Sequence, residues 1–188
     1  MGDPQLSVFD RPLLSTNDGA LLAWTNCDQT YHGEFLGYLV PECAPHVTGD
    51  EAEQASKLSR HGLDYARDHA GRLPVVAAAR LAGTWSLYEP FRFPDPGRNE
   101  TVLRVGIFFY WALLPLAVVG AVALRRRNRP LWVLLAPIAV VCLVAMATYT
   151  SIRLRYLAEI PFVVLAGAGV VALSSYMRGA RGVGELQQ

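Results

Sequence analysis

Three long apolar runs occupy the second half of the chain. They cover residues 102–124, 131–148 and 157–173, and the second run contains no charged residue. A helix rises about 1.5 Å per residue, so roughly 20 apolar residues are needed to cross the ~30 Å hydrocarbon core of a bilayer. The first run exceeds that length, and the other two lie at the short end of the range. The pattern predicts three transmembrane helices, because a domain this small could not cover so much apolar surface in water.

The residues before the first run are more polar and contain two shorter helical patterns. Residues 51–69 place small and apolar side chains at three- and four-residue spacing, which is typical of an amphipathic helix. Pro74 fits the first turn of a second helix over residues 75–87, which is apolar but contains Arg80. This second helix could lie in the membrane interface, or it could pack against the first helix.

Two nearby segments have weaker patterns. Residues 20–24 fit either a capped helix or the return strand of a hairpin, and the pattern does not choose between them. Residues 31–38 mix aromatic residues with two glycines, and this composition predicts a packed loop.

Charge differs between the two halves of the chain. Residues 1–103 contain 8 Lys and Arg and 14 Asp and Glu, a net charge of −6, whereas residues 104–188 contain 9 Arg and 2 Glu, a net charge of +7. Four of these arginines lie in the link between the first two apolar runs. By the positive-inside rule this link and the C-terminal tail face the cytoplasm. The basic residues are spread between apolar runs, which argues against nucleic-acid binding.

These patterns predict a mainly α membrane protein in the cytoplasmic membrane, with a small extracytoplasmic, mostly helical segment followed by three transmembrane helices. The predicted parts are an extracytoplasmic domain (1–73), an interfacial helix and linker (74–101), transmembrane helices (102–124, 131–148 and 157–173), a cytoplasmic loop (125–130), an extracytoplasmic loop (149–156) and a cytoplasmic tail (174–188). About 100 residues would be translocated before the first span, yet nothing near Met1 resembles a signal peptide. We therefore expect further membrane helices upstream, in a longer protein.

The positions of the cysteines predict one disulfide, and those of the histidines predict no metal site. Cys27 and Cys43 are 16 positions apart in the segment expected outside the membrane, where an oxidising compartment permits disulfides. We expect a Cys27–Cys43 disulfide, the alternative being two unpaired buried thiols. Cys142 lies inside an apolar run and is expected to be a packing residue. The histidines match no metal-ligand spacing, so neither a metal nor a cofactor is predicted; they are His32, His46, His61 and His69.

The boundary between the second and third runs carries the most informative charges. Arg153, Arg155 and Glu159 would lie at a membrane surface, where charges are costly unless they are paired or solvated. Arg155 and Glu159 are one helical turn apart, which predicts a structural ion pair. The arginines could extend their charged ends to the interface. They could equally bind an anion, because guanidinium groups match phosphate oxygens two at a time.

The same boundary resembles a known family. Arg153-Leu154-Arg155-Tyr156 with Glu159 and Pro161, followed by Val163-Val164-Leu165-Ala166-Gly167, resembles the last extracytoplasmic loop and final span of GT-C superfamily polytopic membrane glycosyltransferases. These are family-39-like enzymes related to protein mannosyltransferases. The outer segment is similar to actinobacterial members of that group. The pieces that carry this second likeness include Asn26-Cys27-Asp28, Leu63-Asp64-Tyr65-Ala66-Arg67-Asp68-His69 and Trp85-Ser86-Leu87-Tyr88-Glu89-Pro90.

The resemblance implies the C-terminal fragment of an enzyme that transfers a sugar from a polyprenyl-phosphate donor to an extracytoplasmic acceptor. Arg153, Arg155 and Tyr156 match the terminal basic loop and are the expected contacts to the lipid phosphate. The family's catalytic carboxylates lie in a loop between its first two spans, so no catalytic residue is expected here and the fragment alone would be inactive. Expected partners are the bilayer, the donor, and the missing N-terminal transmembrane part or other membrane helices.

The alternative is a small non-enzymatic membrane module that binds a partner through its outer domain. Small residues in the third run would support close helix packing in either case. They are Gly167, Ala168, Gly169 and Ala172.

Overall fold

The computed structural model of the chain describes residues 17–91 and 99–185. Within these residues the chain is mainly helical, as predicted, and no strand is present. The helices are α1 (Asn17–Thr25), α2 (Asp28–Tyr31), α3 (Glu51–Asp68), α4 (Leu73–Thr84), α5 (Glu100–Arg126), α6 (Trp132–Ala147) and α7 (Tyr156–Glu185). Short 3-10 turns cover Gly33–Phe35, Pro41–Cys43, Ala70–Arg72 and Ile152–Arg155. The predictions for residues 1–16, and for most of the linker before the first span, lie outside the described residues.

The chain divides into two compact units. Of the described residues, unit 1 contains 17–88 and Val144–Ser151, and unit 2 contains 89–91, 99–143 and 152–185. The last turn of α6 therefore belongs to unit 1, while the rest of that helix belongs to unit 2.

In unit 1, α1 packs closely on α3. Residues 20–24, whose sequence pattern fits either a helix or a strand, are helical. Gly19 and Gly62 explain the close approach, because a Cβ at either position would meet the backbone of the opposite helix at Ala55 or Leu22. The predicted amphipathic helix is α3, and the Asp50 side chain caps it by accepting from the Glu53 N–H at 2.7 Å.

Residues 31–38 form the predicted packed loop after the short helix α2, and a 3-10 turn, Gly33–Phe35, lies within it. The Thr30 hydroxyl accepts from the Cys27 N–H at 3.1 Å and thereby stabilises the start of α2. The predicted helix over residues 75–87 is instead Leu73–Thr84, since Ser86 adopts a left-handed backbone conformation with φ of 55°.

The predicted disulfide is present in unit 1. Cys27 and Cys43 are bonded, with their Cα atoms 6.1 Å apart, and they join the start of α2 to the 3-10 turn Pro41–Cys43. Cys142 is a half-buried free thiol in α6.

In unit 2, two helices of the described chain have the length and composition to cross a bilayer, rather than the three predicted. They are Glu100–Arg126 and Ile152–Arg178, each 27 residues long. In the most apolar 18-residue stretch of each helix, the buried share is 22% for the first and 33% for the second. The core helix of a soluble protein would be mostly buried. The helix α6 has 16 residues and a length of about 24 Å, which is short for a full crossing. It ends at Ala147 because the following residues, 148–151, pack within unit 1.

Much of the predicted tail over residues 174–188 is helical, because α7 continues to Glu185. The hydroxyls of Ser174 and Ser175 both donate to the Val171 carbonyl at 2.9 Å, so these polar residues are accommodated without a break in the helix.

The helices α5 and α7 pack side by side and run in the same direction. Tyr110 stacks on Phe162 near the start of the pair, and Gly120 lies against Gly169 further along both helices. A Cβ at Gly120 would meet the Leu165 carbonyl, so the two backbones are in direct contact. Small residues allow this approach. Gly169 was one of the residues predicted to support close packing, whereas a Cβ added at Gly167 would have no neighbouring atom within 4 Å.

We predict that Gly169→Ala destabilises the helix pair. The new methyl group would meet the Leu116 carbonyl and the Gly120 amide nitrogen, which are backbone atoms and cannot rotate away. Gly167→Ala is the matched control, because it adds the same methyl group to the same helix in open space. It should be neutral or stabilising, since alanine is favoured over glycine in a helix by about 1 kcal/mol. Thermal unfolding of the purified chain in one detergent measures both, and equal shifts in Tm would contradict the close contact.

Candidate functional site

A groove in unit 2 lies between the first halves of α5 and α7. It has a volume of about 610 Å³. Its walls are mostly apolar and include Val102, Leu103, Ile107, Phe109, Leu113, Phe162 and Val163. Along α5 it extends from Asn99 to Leu113, a length of about 20 Å at ~1.5 Å per residue. A cleft with this shape and lining fits an elongated apolar chain better than a compact polar molecule.

Polar side chains enter the groove at the end where α7 begins. Arg155, Tyr156 and Glu159 all line it. Arg155 is 8% exposed, and its Nε lies 3.4 Å from Oε1 of Glu159. The predicted Arg155–Glu159 ion pair is therefore present.

An aromatic ring also contacts Arg155. The guanidinium carbon lies 4.1 Å from the centroid of the Tyr110 ring, which is a cation–π contact, and Tyr110 in turn stacks on Phe162 at 5.1 Å. Burying a guanidinium costs several kcal/mol unless other groups compensate. The ring face and the Glu159 carboxylate supply that compensation, so they fix the position of Arg155 beside the groove.

Local structure explains how these groups come together. The 3-10 turn Ile152–Arg155 leads directly into α7 and places Arg155 one turn before Glu159. Glu159 lies in the first turn of α7, where the helix dipole favours a carboxylate.

The structure separates the three residues predicted to contact a lipid phosphate. Arg155 and Tyr156 line the groove, whereas Arg153 is exposed and is not among the lining residues. Tyr110 was not among the predicted site residues. A tyrosine in the middle of an apolar run was the available signal, but its contact with Arg155 depends on how α5 and α7 pack. Within the described residues, no group of three or more His, Cys, Asp or Glu side chains could hold a metal ion.

Unit 1 contains a second cluster, centred on Arg80. This side chain is 3% exposed and donates to the Thr25 carbonyl, to Oδ1 of Asn26 at 3.4 Å and to the Met146 carbonyl at 3.3 Å. Thr25 is the last residue of α1 and Met146 lies in the last turn of α6. The carbonyl ends of helices carry partial negative charge, so two helix C-termini stabilise this buried cation.

Two neighbours of Arg80 share its burial. The Tyr31 hydroxyl donates to the same Asn26 oxygen at 2.8 Å. Burial raises the pKa of Tyr31, and the positive charge of Arg80 partly opposes that rise. Burial also lowers the pKa of Arg80, although an arginine keeps its proton in proteins. Arg80 faces the interior of unit 1, which favours packing over a membrane-surface position for α4. Its partners are the ends of α1 and α6 rather than α3.

We predict that Arg80→Met destabilises unit 1 strongly. The methionine would fill similar space, but the Thr25 and Met146 carbonyls would lose their charged donor, and such hydrogen bonds are worth about 1.5–3 kcal/mol each. Arg72→Met is the matched control, because Arg72 is exposed and donates to the Tyr31 carbonyl at 3.1 Å. Tm measured in detergent should fall several times further for Arg80→Met. Similar losses for both variants would show that Arg80 is not the central contact.

No protein-family model, curated protein or solved structure matches this chain. The groove between α5 and α7 and the Arg80 cluster are therefore interpreted from their own contacts, burial and charge.

Proposed function

We propose that the chain is the membrane-embedded C-terminal part of a GT-C-type glycosyltransferase and that the groove between α5 and α7 binds its polyprenyl-phosphate sugar donor. The observation that carries this proposal is the layout of the groove. Mostly apolar walls about 20 Å long surround a buried guanidinium, which lies against Tyr110, and an exposed tyrosine. A polyprenyl phosphate offers the matching parts, a long apolar chain and an anionic head. The family resemblance of the residues around Arg155 supports the sugar-transfer role.

The spacing of polar side chains supports a membrane position for both helices. Tyr156 and Tyr176 are 47% and 78% exposed and about 20 positions apart in α7, which corresponds to about 30 Å. Arg104 and Arg125 are separated by a similar distance along α5. Tyrosine and arginine are favoured at the two surfaces of a bilayer, whose hydrocarbon core is about 30 Å thick. The start of α7, with Arg155, then lies at headgroup depth.

The parallel packing of α5 and α7 supports a third crossing. If both helices span in the same direction, the chain between Arg126 and Tyr156 must return across the bilayer. Within this connection α6 is the apolar helix, and local thinning of the bilayer can accommodate its short length. The arginines between α5 and α6 support a cytoplasmic position for that end by the positive-inside rule. The groove then opens near the extracytoplasmic surface, where the family transfers its sugar.

Arg155 is the proposed contact for the donor phosphate. Its guanidinium is already held by Tyr110 and Glu159, so little side-chain entropy is lost when an anion binds. A phosphate would compete with the Glu159 carboxylate for the same cation. Tyr156 lies next to both in the groove and is positioned to contact the head of the lipid. The carboxylates that the resemblance implies for sugar transfer would come from elsewhere in the enzyme.

A non-enzymatic membrane module is the second candidate function. It is favoured by apolar side chains exposed on unit 1, such as Val75 at 49% and Leu87 at 61%, which would suit a protein partner. This function requires no specific binding of a lipid phosphate in the groove.

We predict opposite effects for two substitutions at the groove. Arg155→Lys should weaken binding of a polyprenyl phosphate about ten- to a hundredfold, because a point charge does not reproduce the guanidinium geometry. Glu159→Gln should strengthen binding, because it removes the carboxylate that competes with the phosphate. Affinity is measured by titrating the lipid into the purified chain in detergent, with thermal stability checked for each variant.

Two controls make this test specific. Arg153→Lys makes the same chemical change outside the groove and should have little effect. The corresponding polyprenol, which lacks the phosphate, should bind more weakly than the phosphate to the wild-type chain. The donor-binding role is wrong if polyprenol and polyprenyl phosphate bind equally, or if Arg155→Lys and Glu159→Gln both bind like wild type.

A further inference from the structure

A second groove lies at the other end of the α5–α7 pair. It has a volume of about 320 Å³ and shares no lining residue with the first groove. Its lining combines small and apolar residues, among them Val119, Val122 and Ala172, with Arg126, Arg127 and Tyr176. The apolar part lies within the helices, and the arginines lie where α5 ends. This arrangement again suits an amphiphile with an anionic head.

The charge around this groove is strongly one-sided. Arg125, Arg126, Arg127 and Arg129 lie within five residues of one another, and all four are exposed. No Asp or Glu occurs between residues 101 and 158. On α7, Glu159 lies at the opposite end of the helix pair, and the next acidic residue is Glu185, more than two helical turns beyond Tyr176. The local field therefore attracts anions.

The turn after α5 fixes where the arginines lie. The Arg129 N–H donates to the Leu124 carbonyl at 3.1 Å, and the Asn128 N–H donates to the Arg125 carbonyl at 3.1 Å. Asn128 adopts a left-handed conformation, with φ of 52°, as is common at helix C-termini. Backbone N–H groups thus satisfy the Leu124 and Arg125 carbonyls. The guanidinium groups of Arg126 and Arg127 are not required as caps and can serve a ligand.

We propose that this groove is a binding site for an anionic phospholipid. Arg126 and Arg127 bind the headgroup phosphate, because paired guanidinium groups match phosphate oxygens geometrically. One acyl chain lies along Val119 and Val122 of α5 and Ala172 of α7. Basic pockets between membrane helices on the cytoplasmic side suit anionic headgroups. Tyr176, which is exposed beside the arginines, marks headgroup depth.

Charge and shape together select a lipid over other occupants. A soluble polyanion would use the arginines but not the apolar groove. Another apolar helix would use the groove but would leave the arginines without an anionic partner. An anionic phospholipid satisfies both parts at once. Because the two grooves are separate, this site is independent of donor binding near Arg155.

The test compares phosphatidylglycerol with phosphatidylcholine as ligands of the purified chain in detergent, with bound lipid counted by mass spectrometry of the intact complex. We expect phosphatidylglycerol to bind about tenfold more tightly or better. The double variant Arg126→Gln/Arg127→Gln should lose about that preference. The matched control, Arg125→Gln/Arg129→Gln, removes the same charge from the same turn but outside the groove, and it should keep most of the preference.

Two further measurements separate the possible outcomes. Val122→Trp fills the groove without changing charge and should weaken phosphatidylglycerol binding. Inorganic phosphate at millimolar concentration should not displace the lipid, because it cannot use the apolar lining. Equal losses in the two double variants would overturn the proposal in favour of diffuse electrostatic attraction. Equal binding of the two lipids would also overturn it, whatever the result for polyprenyl phosphate in the first groove.

Discussion

The backbone contact between α5 and α7 is the constraint on which the rest of unit 2 depends. Gly120 and Gly169 lack the Cβ that would keep the helices apart, so the two backbones meet there. Close contact at one level leaves larger side chains to diverge above and below it, and the two grooves lie on either side of this crossing. In the same helix pair, Tyr110 lies next to Arg155. If both helices cross a bilayer, as proposed above, the chain between them must return across it.

Two buried arginines show how the chain stabilises charge in different surroundings. Arg80 in unit 1 is stabilised by main-chain carbonyls at the ends of two helices and by an asparagine oxygen. Arg155 in unit 2 is stabilised by a carboxylate and an aromatic face. Carbonyl groups of helix ends are fixed by the fold, which suits a structural role for Arg80. A partly exposed carboxylate can be replaced by another anion, which suits exchange of Glu159 for a phosphate at Arg155.

Local features of this fold were predictable from the sequence, and long-range contacts were not. Apolar runs predicted α5 and the first part of α7, because hydrophobic length is a property of the sequence itself. The Arg155–Glu159 pair was predictable because its members are one helical turn apart. The bounds of α6 also follow its apolar run, but its last turn packs within unit 1 beside Arg80, and this contact was not predictable. The role of Gly120 was also missed, since a single glycine in an apolar run gives no indication of its partner. The contact of Tyr110 with Arg155 was missed because it depends on the packing of α5 against α7.

Donor binding requires that a polyprenyl chain lies in the groove between the first halves of α5 and α7. Photo-crosslinking tests this most directly, with a polyprenyl phosphate that carries a diazirine in its apolar chain and with the labelled peptides identified by mass spectrometry. We expect labelling concentrated on the groove residues within 102–113 and 156–163, suppressed by excess unlabelled polyprenyl phosphate. Labelling spread evenly over the exposed apolar residues of α6, with no competition by unlabelled lipid, would show only general contact with the lipid phase and would contradict donor binding in the groove.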